Sequence, residues 1–435
     1  MIKISLSFSI LLAALGGFYP LACRADLPAI TVLHTFGPGG SSDLTPSHDT
    51  DSDGAKPEAP LVQGPDGTLY GTTSSGGAQR TGVVFKINPN GTGYTVLHSF
   101  RSLDGLFTND TNADGGRPSG ALVLGKDGAL YGVAAVGGPK GSGTVFSLKP
   151  DGSGFTVLRS FDPKGELFHN DGGANPLGLT LGPDGTLFGV AELGGEGRGL
   201  IFKMLQSGKR FRVLHSFDDP AYIGGVNIND GGAIPSAAVT LGPDGTLYGT
   251  TNVGGTAGYG VLYKMDADGK RFTVLHTFRR KDGDYKNNGA FPSGSLMLGQ
   301  DGFLYGCTRQ GGLSDGGIAY KISVDGAVFT VLHTFSGPGT ENADGTLPAG
   351  PLVFGSSGYL YGVSGGGGET GGGTLFKVNA QGTKFFTLHD FSTAEGGYTL
   401  AGLTPGHGGS LYGVSTNGGA NKTGTLFRVT FPQSK

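Results

Sequence analysis

The chain has no tryptophan and only 2 cysteines in 435 residues, and its formal net charge is −3. Charged residues make up 15% of it, against a usual ~25%. Two cysteines exclude a disulfide scaffold and a Cys-rich zinc site. The near-neutral balance gives no basic footprint for nucleic acid. Beyond the first 25 residues there is no apolar run long enough to cross a membrane as a helix. Glycine is what the chain has in excess: 87 residues, one in five, where ~7% is ordinary. No three-residue glycine period accompanies them, so collagen is excluded. A hydrophobic fraction of 37% with 10% aromatics is enough apolar surface to argue against disorder.

Residues 1–25 read MIKISLSFSILLAALGGFYPLACRA. Lys3 and the apolar core Ile4 to Leu15 have the form of a signal peptide, with cleavage expected after Ala25. The expected product is secreted or periplasmic. The alternative is a lipid anchor on Cys23, since Pro20-Leu21-Ala22-Cys23 resembles a lipoprotein box. After simple cleavage Cys307 is the remaining cysteine, and it reads as a small buried thiol on a strand.

The tripeptide Leu-Tyr-Gly or Leu-Phe-Gly begins at Leu69, Leu130, Leu187, Leu247, Leu304, Leu360 and Leu411. The spacing is ~57 residues, a period in the range of propeller and solenoid repeats. One unit reads as four strands: Pro60 to Gly64, Thr68 to Ser75, Gly82 to Asn88 and Tyr94 to Phe100. Asp66-Gly67 and Asn90-Gly91 between them are hairpin signals, because such turns need positive φ. No helical period is present. Seven four-stranded antiparallel units cover each other's apolar faces when stacked in a ring. The predicted fold is therefore an all-β, seven-bladed propeller spanning residues 26–435 as one domain. The seventh unit lacks its fourth strand, and Ile30 to Phe36 supplies a matching one. That segment is expected to pair beside Gly424 to Phe431 and close the ring, burying Ile30, Val32, Leu33 and Phe36.

The combined pattern of DG-x-LYG, GG, G-T-V-F and T-V-L-H-S-F, as in GKDGALYGVAAVGGPKGSGTVF, resembles the GloVer (Gloeo-Verruco) tandem-repeat family of exported bacterial proteins. The resemblance covers roughly residues 30 to 430. It implies export and repeat architecture rather than a reaction. Relatives often carry a C-terminal sorting anchor; this chain ends in FPQSK. Sialidase-type Asp-boxes, WD repeats and quinoprotein motifs lean on tryptophan and fit poorly.

Six histidines occupy one repeat position: His34, His98, His215, His276, His333 and His389, with Arg159 in the seventh. A residue repeated once per blade reads as structural. The same applies to Lys86, Lys203, Lys264, Lys321 and Lys377, and to the turn aspartates Asp66, Asp127, Asp184, Asp244 and Asp301. What the repeat does not explain is the long, unequal connection from each fourth strand to the next first strand. Binding residues concentrate on such loops, so function is assigned to that face, which carries an acidic excess favouring cations or cationic partners.

Two connections match D-x-[DN]-x-[DN]-G, the opening half of a calcium loop. One holds Asp49, Asp51 and Asp53; the other holds Asp110, Asn112 and Asp114. The closing glutamate is absent from both, since Pro60 or Ala121 stands in its place. The competing reading is that the aspartates brace turns through their own backbone. Calcium is the one cofactor considered. No H-E-x-x-H or P-loop pattern is present. His48 and His169 are the candidate acid–base groups, and His407 reads as a surface residue in a hairpin turn. The expected function is a monomeric exported propeller binding an extracellular or envelope ligand or protein through its long acidic face, with calcium support. The alternative is a propeller-type lyase or hydrolase acting on a polymer or lactone, which requires His48 or His169 to meet Arg117, Tyr222 or Tyr285 at the channel. A purely structural envelope protein is a third reading.

Overall fold

The computed structural model describes residues 27–37, 52–104, 110–162, 170–195, 197–280, 288–337, 342–355, 358–397 and 401–432. Each Leu-Tyr-Gly or Leu-Phe-Gly lies in the second strand of an antiparallel sheet. The first blade runs Val62–Gln63, Leu69–Thr73, Val83–Ile87 and Thr95–Ser99, hydrogen-bonded in chain order. Asp66 fixes its first turn by accepting the Thr68 N–H at 3.0 Å. Asp184 and Asp244 repeat this with Thr186 and Thr246. Seven such blades follow one another, so the fold is an all-β, seven-bladed propeller. Among the described residues the one helical piece is a 3-10 turn, His407–Gly409. It holds His407, exposed, at the tip of its hairpin.

The ring closes as the sequence predicts. Ala29–Thr35 pairs antiparallel with Thr425–Thr430, from Ala29 opposite Thr430 to Thr35 opposite Thr425. The burial differs from expectation. Phe36 is 0% exposed, but Val32 is 38% exposed, and Ile30 and Leu33 are half-buried. The fourth strand is the outer edge of its blade, so it carries one covered face and one wet face.

Neighbouring blades are joined by three repeated devices. The first is a ring stack. His98 lies flat on Phe155 of the next blade at 3.7 Å, and His34, His215, His276 and His333 do the same on Tyr94, Phe272, Phe329 and Phe385. Arg159 takes the place of histidine, 3.6 Å above Phe211. The second is the third-strand lysine. Lys203 donates to the Ala267 carbonyl of the next blade at 2.9 Å. The third is a close approach of glycine to proline. Gly82 has φ +100, and a Cβ there would lie 2.7 Å from Pro118 Cδ and 2.2 Å from the Thr73 carbonyl oxygen. Only glycine fits both the left-handed backbone and the contact. Cys307 is fully buried, and burial pushes its thiol up to about 12.

Candidate functional site

The long connections and the loops between second and third strands emerge on one face, as the sequence predicts. Their aspartates serve two kinds of brace. Asp114 is 4% exposed; its carboxylate lies 2.9 Å from His98 Nε2 and accepts the Arg101 N–H at 3.2 Å. Asp53 takes the same part with His34 at 3.1 Å and the Gly37 N–H, and Asp344 with His333 at 2.9 Å. Glu395 meets His389, and Asn288 meets His276. Burial works against the Asp53 and Asp344 carboxylates, but the hydrogen bonds from histidine and backbone hold both below the usual carboxylate range. Asn112 forms the second brace. Its oxygen accepts the N–H groups of Asp114, Gly115 and Gly138, and its amide donates to the Arg101 and Gly115 carbonyls. Asn229 repeats the arrangement two blades on.

Among the candidate calcium ligands, Asp53, Asp110, Asn112 and Asp114 are thus placed on the expected face, while Asp49 and Asp51 lie outside the described residues. No group of three His, Cys, Asp or Glu side chains able to hold a metal occurs among the described residues. Of the catalytic candidates, His48, His169 and Tyr285 lie outside the described residues. Tyr222 sits on a separate hairpin, Ala221–Ile223 with Val226–Ile228, and is 75% exposed. Arg117 is not among the residues that line the central cavity, but it is close enough to Glu58 to act on its charge.

The central channel opens on the same face as a cavity of about 400 Å³ to which all seven blades contribute. Its wall is made at two repeat positions. One is the residue after the G-x-x-P turn that enters each first strand. Its turn residue is held in left-handed backbone in six blades: Lys56, Arg117, Asn175, Ile234, Phe291 and Leu347, with φ from 51 to 57. Left-handed Ile and Phe are strained. At Phe291 a hydrogen bond to the preceding blade holds the turn, from its N–H to Tyr259 O at 3.0 Å, and Arg117 N–H makes the same bond to Thr81 O at 2.7 Å. Two residues further on, Glu58, Ser119, Leu177, Ser236, Ser293 and Ala349 face the cavity. The second position ends the second strand and brings Glu192, Asn252 and Arg309 to the wall.

Several polar side chains of this wall have no partner among the described residues. Glu192, Asn252 and Arg309 have no hydrogen-bond or ion-pair partner among the described residues, and the Ser119 and Ser236 hydroxyl oxygens are buried without one. Crowding by the channel wall raises the Glu58 carboxyl, although the Ser74 hydroxyl, Lys56 and Arg117 pull the other way. Sequence reading missed all of these residues. The available signal was the appearance of charge at a fixed repeat position: the third residue after Leu-Tyr-Gly or Leu-Phe-Gly is Ser74, Ala135, Glu192, Asn252, Arg309, Gly365 or Thr416, and the residue before it is always Thr, Ala or Ser.

The molecule is thus a propeller built from tandem repeats, with a channel-mouth cavity as its candidate site. The model of the Gloeobacter/Verrucomicrobia repeat family matches residues 106–289 and 284–435, and the chain belongs to that family. No curated protein matches it. Solved structures align along most of the chain. A polysaccharide lyase, an ulvan lyase, aligns with TM-score 0.50 and 10% identity, covering 86% of this chain and 93% of its own. TolB from Acinetobacter baumannii aligns at 0.41 and 13%, covering 79% and 65%. A chain of a nidogen/laminin complex aligns at 0.42 and 14%, covering 77% and 96%. Such identities show the fold alone. No helix among the described residues is long and apolar enough to cross a membrane.

Proposed function

We propose that this is an exported binding protein that holds its ligand at the mouth of the central channel, on the face of the long connections. The observation that carries the reading is the set of unpartnered polar groups in the channel wall. Here five such side chains converge on one cavity, whereas Asp53, Asp114 and Asp344 of the long connections are each paired with a histidine, as Asp114 is with His98. Ser119, Ser236, Glu192 and Asn252 are buried or half-buried, and such groups without partners cost stability. Arg309 is exposed at the cavity, and a cavity of a few hundred Å³ lined by convergent polar groups is the ordinary form of a ligand site. Export rests on residues 1–25, which lie outside the described residues.

Calcium enters the proposal at the first connection, where Asp49 and Asp51 would join Asp53. At the second, the Asn112 oxygen already accepts three N–H groups. Melting the protein in excess calcium and in chelator tests this: a rise in calcium that is lost on Asp51→Ala supports it, and identical melts remove it.

The binding site is tested by plugging the channel. Ala237 lines the cavity, and Ala237→Phe places a ring there. Melting is followed with short peptides, neutral oligosaccharides and uronic-acid oligosaccharides. At ~100 times its dissociation constant a ligand of the folded state adds about 2.7 kcal/mol. The expected result is a shift with at least one class that Ala237→Phe abolishes while its own circular dichroism stays native. Shifts that survive the plug, or none in any class, overturn the reading. Release of new products from the oligosaccharides would favour the lyase or hydrolase alternative instead.

A further inference from the structure

Three successive blades, the third to the fifth, present one repeat position to the cavity as Glu192, Asn252 and Arg309. In chain order these are a carboxylate, a carboxamide and a guanidinium. The other four blades carry Ser74, Ala135, Gly365 and Thr416 there, so the charged groups are confined to one arc of the mouth. The two opposite charges do not pair with each other, because the blade bearing Asn252 separates them. A third carboxyl in the cavity, Glu58, lies outside this arc on the first blade, where burial raises it and the Ser74 hydroxyl, Lys56 and Arg117 oppose that only in part. What remains uncompensated within the arc is one negative group, one positive group and, between them, a side chain able to donate and accept at once.

We propose that this arc binds a small zwitterion of the amino-acid or short-peptide class. Its carboxylate lies on Arg309, its amide on Asn252 and its ammonium on Glu192. The inference rests on the channel mouth being the binding site and names the ligand that site takes. A guanidinium fork matches a carboxylate in two parallel hydrogen bonds. A carboxamide donates and accepts, so it can meet an N–H and a C=O of an extended peptide. A simple anion would meet Arg309 but leave Glu192 facing it, and a simple cation would reverse the mismatch. A neutral sugar would find no Phe, Tyr or His among the lining side chains to stack on.

The test is titration calorimetry of the purified protein with trialanine, N-acetyl-trialanine and trialanine amide. Trialanine is expected to bind, and each singly charged analogue to bind at least tenfold more weakly. Arg309→Gln should bring trialanine down to the affinity of its amide. Glu192→Gln should bring it down to that of the acetylated form. Arg309→Lys, which keeps the charge, should retain part of the preference, and native circular dichroism is required of every variant. Discrimination that persists unchanged in Arg309→Gln or Glu192→Gln overturns the proposal, as does the absence of trialanine binding. If trialanine fails while an oligosaccharide binds in a manner abolished by Ala237→Phe, the ligand class falls and the channel site stands. If nothing sensitive to the plug binds, both fall.

Discussion

His215 occupies the histidine position of its blade and stacks on Phe272 at 3.9 Å, but Gly231 stands where the second connection has Asp114. Burial without the carboxylate lowers its pKa to about 4, with Asp218 only partly opposing. The unfolded chain, with a value near 6.5, therefore takes up a proton that the folded chain refuses between pH 6.5 and 4. Stability from this site is full above pH 6.5 and is lost as the pH falls, by up to about 3 kcal/mol. A Cβ at Gly231 would meet nothing nearer than Phe272 at 3.8 Å, so Gly231→Asp fits. It is expected to raise the His215 pKa and flatten the decline in urea midpoint between pH 7 and 5; an unchanged imidazole titration by NMR would refute the role given to Asp114. At Asn112, five hydrogen bonds converge on one side chain, and Asn112→Ala leaves several backbone groups without partners. The expected loss is about 3 kcal/mol in urea unfolding at neutral pH, and a loss below about 0.5 kcal/mol would contradict the brace.

The strands were legible because each is a short apolar run bounded by Asp-Gly or Asn-Gly, and both signals are local. The expected strand Tyr94 to Phe100 is Thr95–Ser99, and Gly82 to Asn88 is Val83–Ile87. The joints between blades were not legible, because Gly82 and Pro118 are 36 residues apart and nothing local marks their contact. The channel wall was hidden for a related reason: seven segments from the whole chain build it, and no local motif marks its residues. The Asp-rich connections show a limit of spacing as a signal. Asx braces and half a calcium loop both place oxygen-bearing side chains two residues apart before a glycine. The Gly82 joint makes a prediction at this scale. Gly82→Ala puts a Cβ on left-handed backbone against the Thr73 carbonyl and Pro118. The expected cost is about 3 kcal/mol, seen as a lower urea midpoint with an unchanged circular dichroism spectrum. A midpoint within experimental error of the parent would mean that the two blades separate at this point without penalty.

As a whole the molecule is a ring whose last joint is made by two segments from opposite ends of the chain. Phe36 packs edge-on to Phe85 at 5.6 Å within the first blade's core, while the backbone of Ala29–Thr35 belongs to the seventh blade. The terminal strand thus ties the first blade to the last through both its hydrogen bonds and its one fully buried side chain. Thr423 adds to the tie by donating its hydroxyl to the Phe36 carbonyl at 2.9 Å. Phe36→Ala is expected to cost about 3–5 kcal/mol. Removing residues 26–36 goes further, because it also leaves Thr425–Thr430 as an unpaired edge, open to pairing with another chain. The truncated protein is therefore expected to melt well below the parent and to self-associate in sedimentation. A peptide of residues 27–37 added in trans supplies the missing strand by β-augmentation, and should restore both the melting temperature and the sedimentation of the parent. The same peptide carrying Phe36→Ala should restore neither fully, since it returns the ladder without the anchor. A truncated chain that melts with the parent would show that the seven blades hold their ring without this strand, and the closure would then be a consequence of the fold rather than a cause of its stability.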